Sequence, residues 1–447
     1  MDLDKLRSMM LGNAARHLYF KPLSPNDNNK NQPYFGADFS SLNIIPTGDL
    51  VAARSTSRKD SVSNGDMIFK APVFFSWMDV SGKLYSAPHA QLILYPQYPE
   101  VRFSGFLKGC EQKPSVLMDP NKRGRDAGRV LFMGVREDGH VIGYLASPES
   151  VVAKQSIGLR ELPVHGLFHE IDIESKGPEG STRNILLKEL RRVHELEWIT
   201  GKRLMPDRTP VECNSPNCGG YTLEAELGIT PNGYSEPDFL GWEVKQYGVD
   251  TFENINAKVV TLMTPEPSGG WYQTEGVESF LRRFGYADRS GKADRINFGG
   301  VHKYGNSHKT TGLILTLSGF DPKKGKIKDA SGGIVLETHS GEIAAIWHYS
   351  KLIDHWKRKH AQAVYVPSLS KANAVREYFY GKRVKLGLGT DFSRLLSAIY
   401  SGAVYYDPGI KMEDAASARP KIKRRSQFRV KSGNLGVLYA QLEEVDV

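Results

Sequence analysis

The chain has 447 residues, 40% hydrophobic and 24% charged, with a formal net charge of +9. That composition excludes a disordered chain, and the length exceeds one ordinary core, so two domains are expected. Three cysteines, Cys110, Cys213 and Cys218, are too few for a disulfide framework and fit a reducing cytoplasm; no apolar run approaches a membrane span and the first twenty residues lack a secretory pattern, so neither membrane insertion nor export by that route is expected.

Short apolar runs cut by turn residues fill positions 15 to 165, among them HLYFKPL, AQLILYP, GRVLFMGV and HVIGYLAS. Strands at this spacing predict a compact β-barrel or sandwich, with no helix of useful length among them. Lys21, Ser24, Asn26 and Asp27 crowd the turn after the first run, and Glu100, Arg102 and Lys108 form a second polar cluster. Loops carrying such groups between strands can read base edges; a barrel that only supports its neighbour would look the same.

The texture changes near residue 166. A stretch rich in Gly, Ser and charge is followed by ILLKELRRVHELEW, whose Leu186, Leu190 and Val193 have the spacing of an amphipathic helix. A linker over 166–182 and a second domain over 183–447 are expected. Cys213 and Cys218 in CNSPNCGG lack a second Cys or His pair in register, a poor zinc pattern. Downstream, helices and strands alternate: TLEAELGI (helix), FLGWEVKQY (strand), VESFLRRFGY (helix), TGLILTLS (strand), EIAAIWHYSKLIDHWKRKHA (helix), QAVYVP (strand). That order predicts an α/β or α+β domain with a mixed sheet.

The stretch PDFLGWEVKQ, 237 to 246, puts two acids and a lysine into a strand pattern. Strand alternation sends Glu243 and Lys245 to one face and Trp242, Val244 and Gln246 to the other. Asp238 lies before Gly241, and a bend there brings its carboxylate beside Glu243. With the Val244 carbonyl these form a hard oxygen site of the kind Mg²⁺ takes. Lys245 beside it can hold or help deprotonate an attacking water and stabilise phosphate charge. Glu224, on the helix upstream, projects a third carboxylate toward the same place, while Glu226 faces elsewhere. An exposed Glu-x-Lys ion pair on an ordinary strand is the plain alternative.

TLEAELGI followed by PDFLGWEVK resembles the signature of PD-(D/E)xK nucleases, and more narrowly that of the MvaI/BcnI restriction endonucleases and the MutH mismatch-repair nicking enzymes. The D-x4-E-x-K spacing is the MvaI-type one. The resemblance implies a Mg²⁺-dependent endonuclease with Glu224, Asp238, Glu243 and Lys245 as catalytic residues and Asp238, Glu243 and Val244 as metal ligands. It extends loosely to 447, where the basic stretch ARPKIKRRSQFRVK holds seven Lys or Arg in fourteen positions and no acid. Such a patch suits a polyanion, and by the likeness Arg424, Arg425, Gln427 and Arg429 are groove contacts at a G·C-rich, CCNGG-like site. A phosphate clamp without base readout is the alternative. In NFGGVHKYGNSHKTTG, His302 or Lys303 is placed to approach the scissile phosphate.

YFKPLSPND with LMDPNKRGRDAGRVLFMGVREDG resembles the amino-terminal effector domain of EcoRII-type enzymes, a DNA-binding pseudobarrel. The combined expectation is an α+β chain: a β-pseudobarrel DNA-binding domain over 1–165, then an α/β restriction-endonuclease-like domain with a mixed central sheet over 183–447. It would act as a cytoplasmic monomer on double-stranded DNA, engage two copies of its site, and be paired with a DNA methyltransferase. Two other readings remain at this point. One is a nicking or modification-dependent nuclease; the other is a DNA-binding regulator with a dead nuclease fold, against which the intact Asp238, Glu243 and Lys245 argue.

Overall fold

The structure is a computed structural model that describes all residues except 26–31, 37–40, 42, 56–66, 97–99, 160, 161, 163, 175–181, 216 and 231–237, with backbone alone at 357–359. The chain divides into two compact units, Met1–Asn184 and Ile185–Val447.

The first unit is built on two sheets. One has seven strands in the order Val164–His165, Phe168–Ile171, Ala15–Leu23, Arg129–Arg136, Val141–Ala146, Phe75–Met78 and Leu84–Ser86. The other has five, Tyr34–Gly36, Glu100–Ser104, Gln91–Tyr95, Met67–Pro72 and Val51–Arg54. Among the described residues every strand pairing of this unit is antiparallel except that of Val141–Ala146 with Phe75–Met78. Alternate residues of the long strands, Leu18 and Phe20, Val130 and Phe132, Ile142 and Tyr144, meet Leu6 and Met10 of the helix Leu3–Gly12 and Val152 and Ala153 of the helix Val151–Ile157 in one core. The second helix lies inside the region expected to hold no helix of useful length; at seven residues it is too short to show a period, and its Ser150 cap accepts from the Ala153 amide. The unit also runs past residue 165, because Phe168–Ile171 pairs along Ala15–Leu23.

Glu170 in that added strand is held between two imidazoles, His165 at 2.9 Å and His17 at 3.3 Å. Burial would raise its carboxyl, but hydrogen bonds and charge from both histidines outweigh that and bring it from 4.5 down to about 2. A carboxyl depressed on folding stabilises fully above its unfolded pKa and ceases to do so as pH falls through its folded one. Glu170→Gln is therefore expected to destabilise the protein by about 1–3 kcal/mol at pH 7. The gap to wild type should shrink as pH falls from 4.5 to about 2, read as urea midpoints at pH 7 and at acid pH; a gap that persists at low pH removes the ion-pair explanation.

In the second unit a mixed sheet runs Trp198–Thr200, Arg376–Tyr380, Gln362–Ala372, Arg383–Thr390 and Tyr439–Asp446, with Glu243–Gly248 pairing parallel to Gln362–Ala372. One face takes Val244, Val364, Val366 and Leu386 against Leu186, Leu190 and Val193 of the helix Thr182–Glu195 and Leu223 and Leu227 around the helix Cys218–Glu226. Residues 343–348, read from sequence as the start of a long helix, are instead a strand, Ile343–His348, antiparallel to Gly333–Glu337; the helix begins at Tyr349. Six apolar-rich residues fit either period, and the neighbouring strand decides.

Candidate active site

The turn before the Glu243 strand explains how Asp238 reaches it. Leu240 and Gly241 both have positive φ, 47° and 87°, and Phe239 and Trp242 exchange backbone hydrogen bonds of 2.9 and 2.8 Å across them. This is the pattern of a two-residue type I′ turn, whose second position favours glycine. The chain folds back, and the Asp238 carboxylate accepts the Val244 amide at 2.9 Å. The amide and carbonyl of one strand residue lie on the same edge. The Val244 carbonyl therefore opens to the side where Asp238 sits, away from the neighbouring strand.

Glu243 is only 1% exposed, and the Lys245 ammonium donates to its carboxylate. Burial alone would lower the Lys245 pKa, but the charges of Glu243, then Asp238, then Glu224 reverse this and raise it. The charges of three carboxylates thus act on one ammonium. Glu226, two residues beyond Glu224, turns to Lys202 at 2.6 Å and Arg192 at 3.5 Å. Among the described residues no three His, Cys, Asp or Glu side chains are grouped so as to hold a metal ion. Two carboxylates and a backbone carbonyl are nonetheless the donor set of an ion that keeps several waters, and the oxygens of Asp238, Glu243 and Val244 fit Mg²⁺ in hardness.

The helix bearing Glu224 is fixed at its start. Thr222 bonds the Lys202 backbone at 3.0 and 3.2 Å, and Cys213 and Cys218 are joined as a disulfide with Cα atoms 5.7 Å apart. The sequence reading took three cysteines as too few for a disulfide framework and gave this pair no role; a separation of five residues nonetheless lets the two sulfurs join. Titration of the denatured, unreduced chain should find one reactive thiol, Cys110, and all three cysteines only after reduction; three before reduction rules the bridge out.

The residues chosen from sequence as DNA contacts separate by exposure. Arg424 and Arg425 are exposed. Arg425 donates to Asn217, at the start of the Glu224 helix, at 3.4 Å, and the charge of Arg424 acts on the Tyr272 hydroxyl, which donates to Glu266. Gln427, by contrast, is 7% exposed, and Arg429 is held inside a three-stranded sheet by Asp407 at 2.7 Å and Thr261 at 3.2 Å. His302 is fully buried, with Gly300 O at 2.9 Å, Thr311 Oγ1 at 3.0 Å and the His308 ring stacked 4.2 Å away. Burial, then the charge of His308, pushes it down to about 3. It is a neutral core residue out of reach of a phosphate, whereas its neighbour Lys303 is exposed.

In the first unit Lys21 is likewise buried at 7%, its ammonium 3.3 Å from Pro22 O and its pKa lowered by burial. Ser24 is exposed, and Asn26 and Asp27 lie outside the described residues. Arg102 pairs with Glu100 at 2.9 Å and lies over the Tyr95 ring. Lys108 is exposed and lines a concavity of about 400 Å³ with His89, Gln91 and Ser104. Asn217, Glu266 and Tyr272 were missed from sequence: Asn217 and Arg425 stand 208 positions apart, and no local pattern joins them.

Residues 187–439 match the model of the MvaI/BcnI restriction endonuclease family. Among solved structures, MvaI in complex with its cognate DNA substrate is 16% identical, covering 58% of this chain and 97% of that one with a TM-score of 0.43. MvaI in the absence of DNA is also 16% identical, covering 60% and 98% with a TM-score of 0.33. No curated protein matches. No helix among the described residues is long and apolar enough to cross a membrane. The family match spans more than half of the chain, and the chain belongs to the MvaI/BcnI restriction endonuclease family, the site-specific deoxyribonucleases that act on DNA.

Proposed function

We propose that the chain is a Mg²⁺-dependent type II restriction endonuclease that cuts both strands at a short G·C-rich, CCNGG-like site. The observation that carries this reading is the Lys245 ammonium among the carboxylates of Glu243, Asp238 and Glu224. Asp238, Glu243 and the Val244 carbonyl would hold the ion, with Glu224 supporting a surrounding water or a second ion. When bound, such an ion supplies Lewis-acid stabilisation of phosphate charge and acidifies the attacking water. Lys245, whose ammonium donates to Glu243, would hold or help deprotonate that water and stabilise charge on the phosphate oxygens. Asp238 is held by the Val244 amide and Glu243 by Lys245, so both are positioned before DNA arrives.

The first unit acts in this proposal as an EcoRII-type effector domain, a pseudobarrel binding one copy of the site through Ser24, Arg102 and Lys108 while the second unit cuts another. Tethering raises the local DNA concentration at the catalytic unit without adding a catalytic group. The chain would work as a cytoplasmic monomer paired with a protecting methyltransferase. The test is incubation with an unmethylated phage genome in Mg²⁺ and in EDTA, followed by sequencing of the ends. Double-strand breaks at one sequence, present only with Mg²⁺ and lost on methylated DNA, are expected; binding without breaks, or nicks alone, overturns the proposal.

A further inference from the structure

Where the basic stretch enters its sheet it is clasped to a short turn that carries a carboxylate the catalytic reading does not use. Phe428 pairs with Met263 at the end of the ladder. Beyond that pair the Ser426 hydroxyl donates to Pro265 O at 2.5 Å, an oxygen that also accepts from the Trp347 indole at 2.9 Å. Glu266 follows Pro265, and Arg424 lies two residues before Ser426, so both leave the sheet at this clasp. Glu266 stands between Pro265 and Pro267; the first has a fixed φ and the second keeps Glu266 extended. Its carboxylate is held from one side by the hydroxyl of Tyr272, a residue only 2% exposed. Burial and that bond raise the Tyr272 pKa, and the charge of Arg424 acts on the same hydroxyl in the opposite sense. Glu266 and Arg424 are both exposed, and among the described residues neither forms an ion pair.

In the major groove a G·C pair shows the O6 and N7 acceptors of guanine beside the N4 amino donor of cytosine. A guanidinium bonds both acceptors as a fork, and a carboxylate accepts from the amino group. We propose that Arg424 and Glu266 read one G·C pair of the cleavage site together, Arg424 on the guanine and Glu266 on the cytosine, with Tyr272 as a positioning residue for the carboxylate. The inference rests on the reading of the chain as a sequence-specific endonuclease and names residues behind its preference for G·C. A fixed carboxylate also works by exclusion. Thymine presents an acceptor oxygen where cytosine presents its amino group, and two acceptors facing each other reject the wrong pair.

The test uses the full-length chain and duplexes carrying the site found by end sequencing. Each cytosine in turn is replaced by a pyrimidinone that lacks the N4 amino group, and each guanine by a deazaguanine that lacks N7. Wild type is expected to lose about tenfold or more in kcat/KM for one cytosine and for the guanine paired with it. Glu266→Ala should be slower on the normal site, yet lose no more than about twofold further from that cytosine change, and Arg424→Ala should behave likewise toward that guanine change. Tyr272→Phe keeps the ring and removes the hydroxyl. Its response should lie between those of wild type and Glu266→Ala at that cytosine alone, whereas a merely structural role would slow every duplex alike. Should Tyr272→Phe fail to fold, the exposed Glu266 carries the test. If Glu266→Ala responds to every cytosine change as wild type does, the inference is wrong while the endonuclease reading stands. The same holds if the bases that the two variants cease to sense belong to different pairs. If wild type cuts at no defined sequence, the endonuclease reading fails and the inference with it.

Discussion

Lys245→Ala and Asp238→Ala are each expected to reduce DNA cleavage by about a thousandfold or more while leaving duplex affinity nearly unchanged. The two act differently. Lys245→Ala removes the one ammonium facing Glu243, Asp238 and Glu224, so the carboxylates lose their counter-charge and the attacking water loses a donor. Asp238→Ala removes a proposed ligand and also frees the Val244 amide that its carboxylate accepts from, which loosens the strand edge where the carbonyl is needed. Neither residue belongs to the exposed basic stretch, so binding should persist. Single-turnover cleavage and gel-shift affinity on the same preparations, with thermal unfolding as a check on folding, decide the matter. Cleavage within about tenfold of wild type in either variant removes that residue from the catalytic set.

What the sequence made legible here was local. Four consecutive residues alternating in polarity, Trp242 to Lys245, told which face Glu243 and Lys245 share, and a glycine two residues before Glu243 told where the chain could bend. The structure supplies the missing half of that bend, a Leu240 in the left-handed region, which no propensity rule would place there because only Gly, Asn and Asp visit it cheaply. Exposure was not legible. Lys21 and His302 were chosen for their chemistry, and both are enclosed, because a polar residue beside a strand reads the same whether its neighbours cover it or not.

The basic stretch gives the second large effect, because its members should separate into two kinds. Arg424→Ala with Arg425→Ala is expected to weaken duplex binding by about 1–3 kcal/mol per arginine if both touch DNA, and to flatten the dependence of log affinity on log salt by about two. Thermal stability should barely change, since both side chains are exposed. Arg429→Ala should do the reverse. It breaks a part-buried pair with Asp407 inside the sheet of Val259–Met263, Phe428–Lys431 and Val404–Tyr406, so unfolding is expected to become easier by about 1–3 kcal/mol with the salt slope unchanged. The boundary between the two behaviours is Ser426, 1% exposed and donating to Pro265 O, where the chain leaves the surface and enters the sheet. Arg425 adds a further expectation, because its contact with Asn217 touches the helix that holds Glu224: losing it should slow cleavage of DNA already bound, whereas losing Arg424 should act on binding alone. A salt slope that falls for Arg429→Ala and not for the Arg424 and Arg425 pair would place the DNA on the other side of this sheet and undo the assignment of the whole stretch.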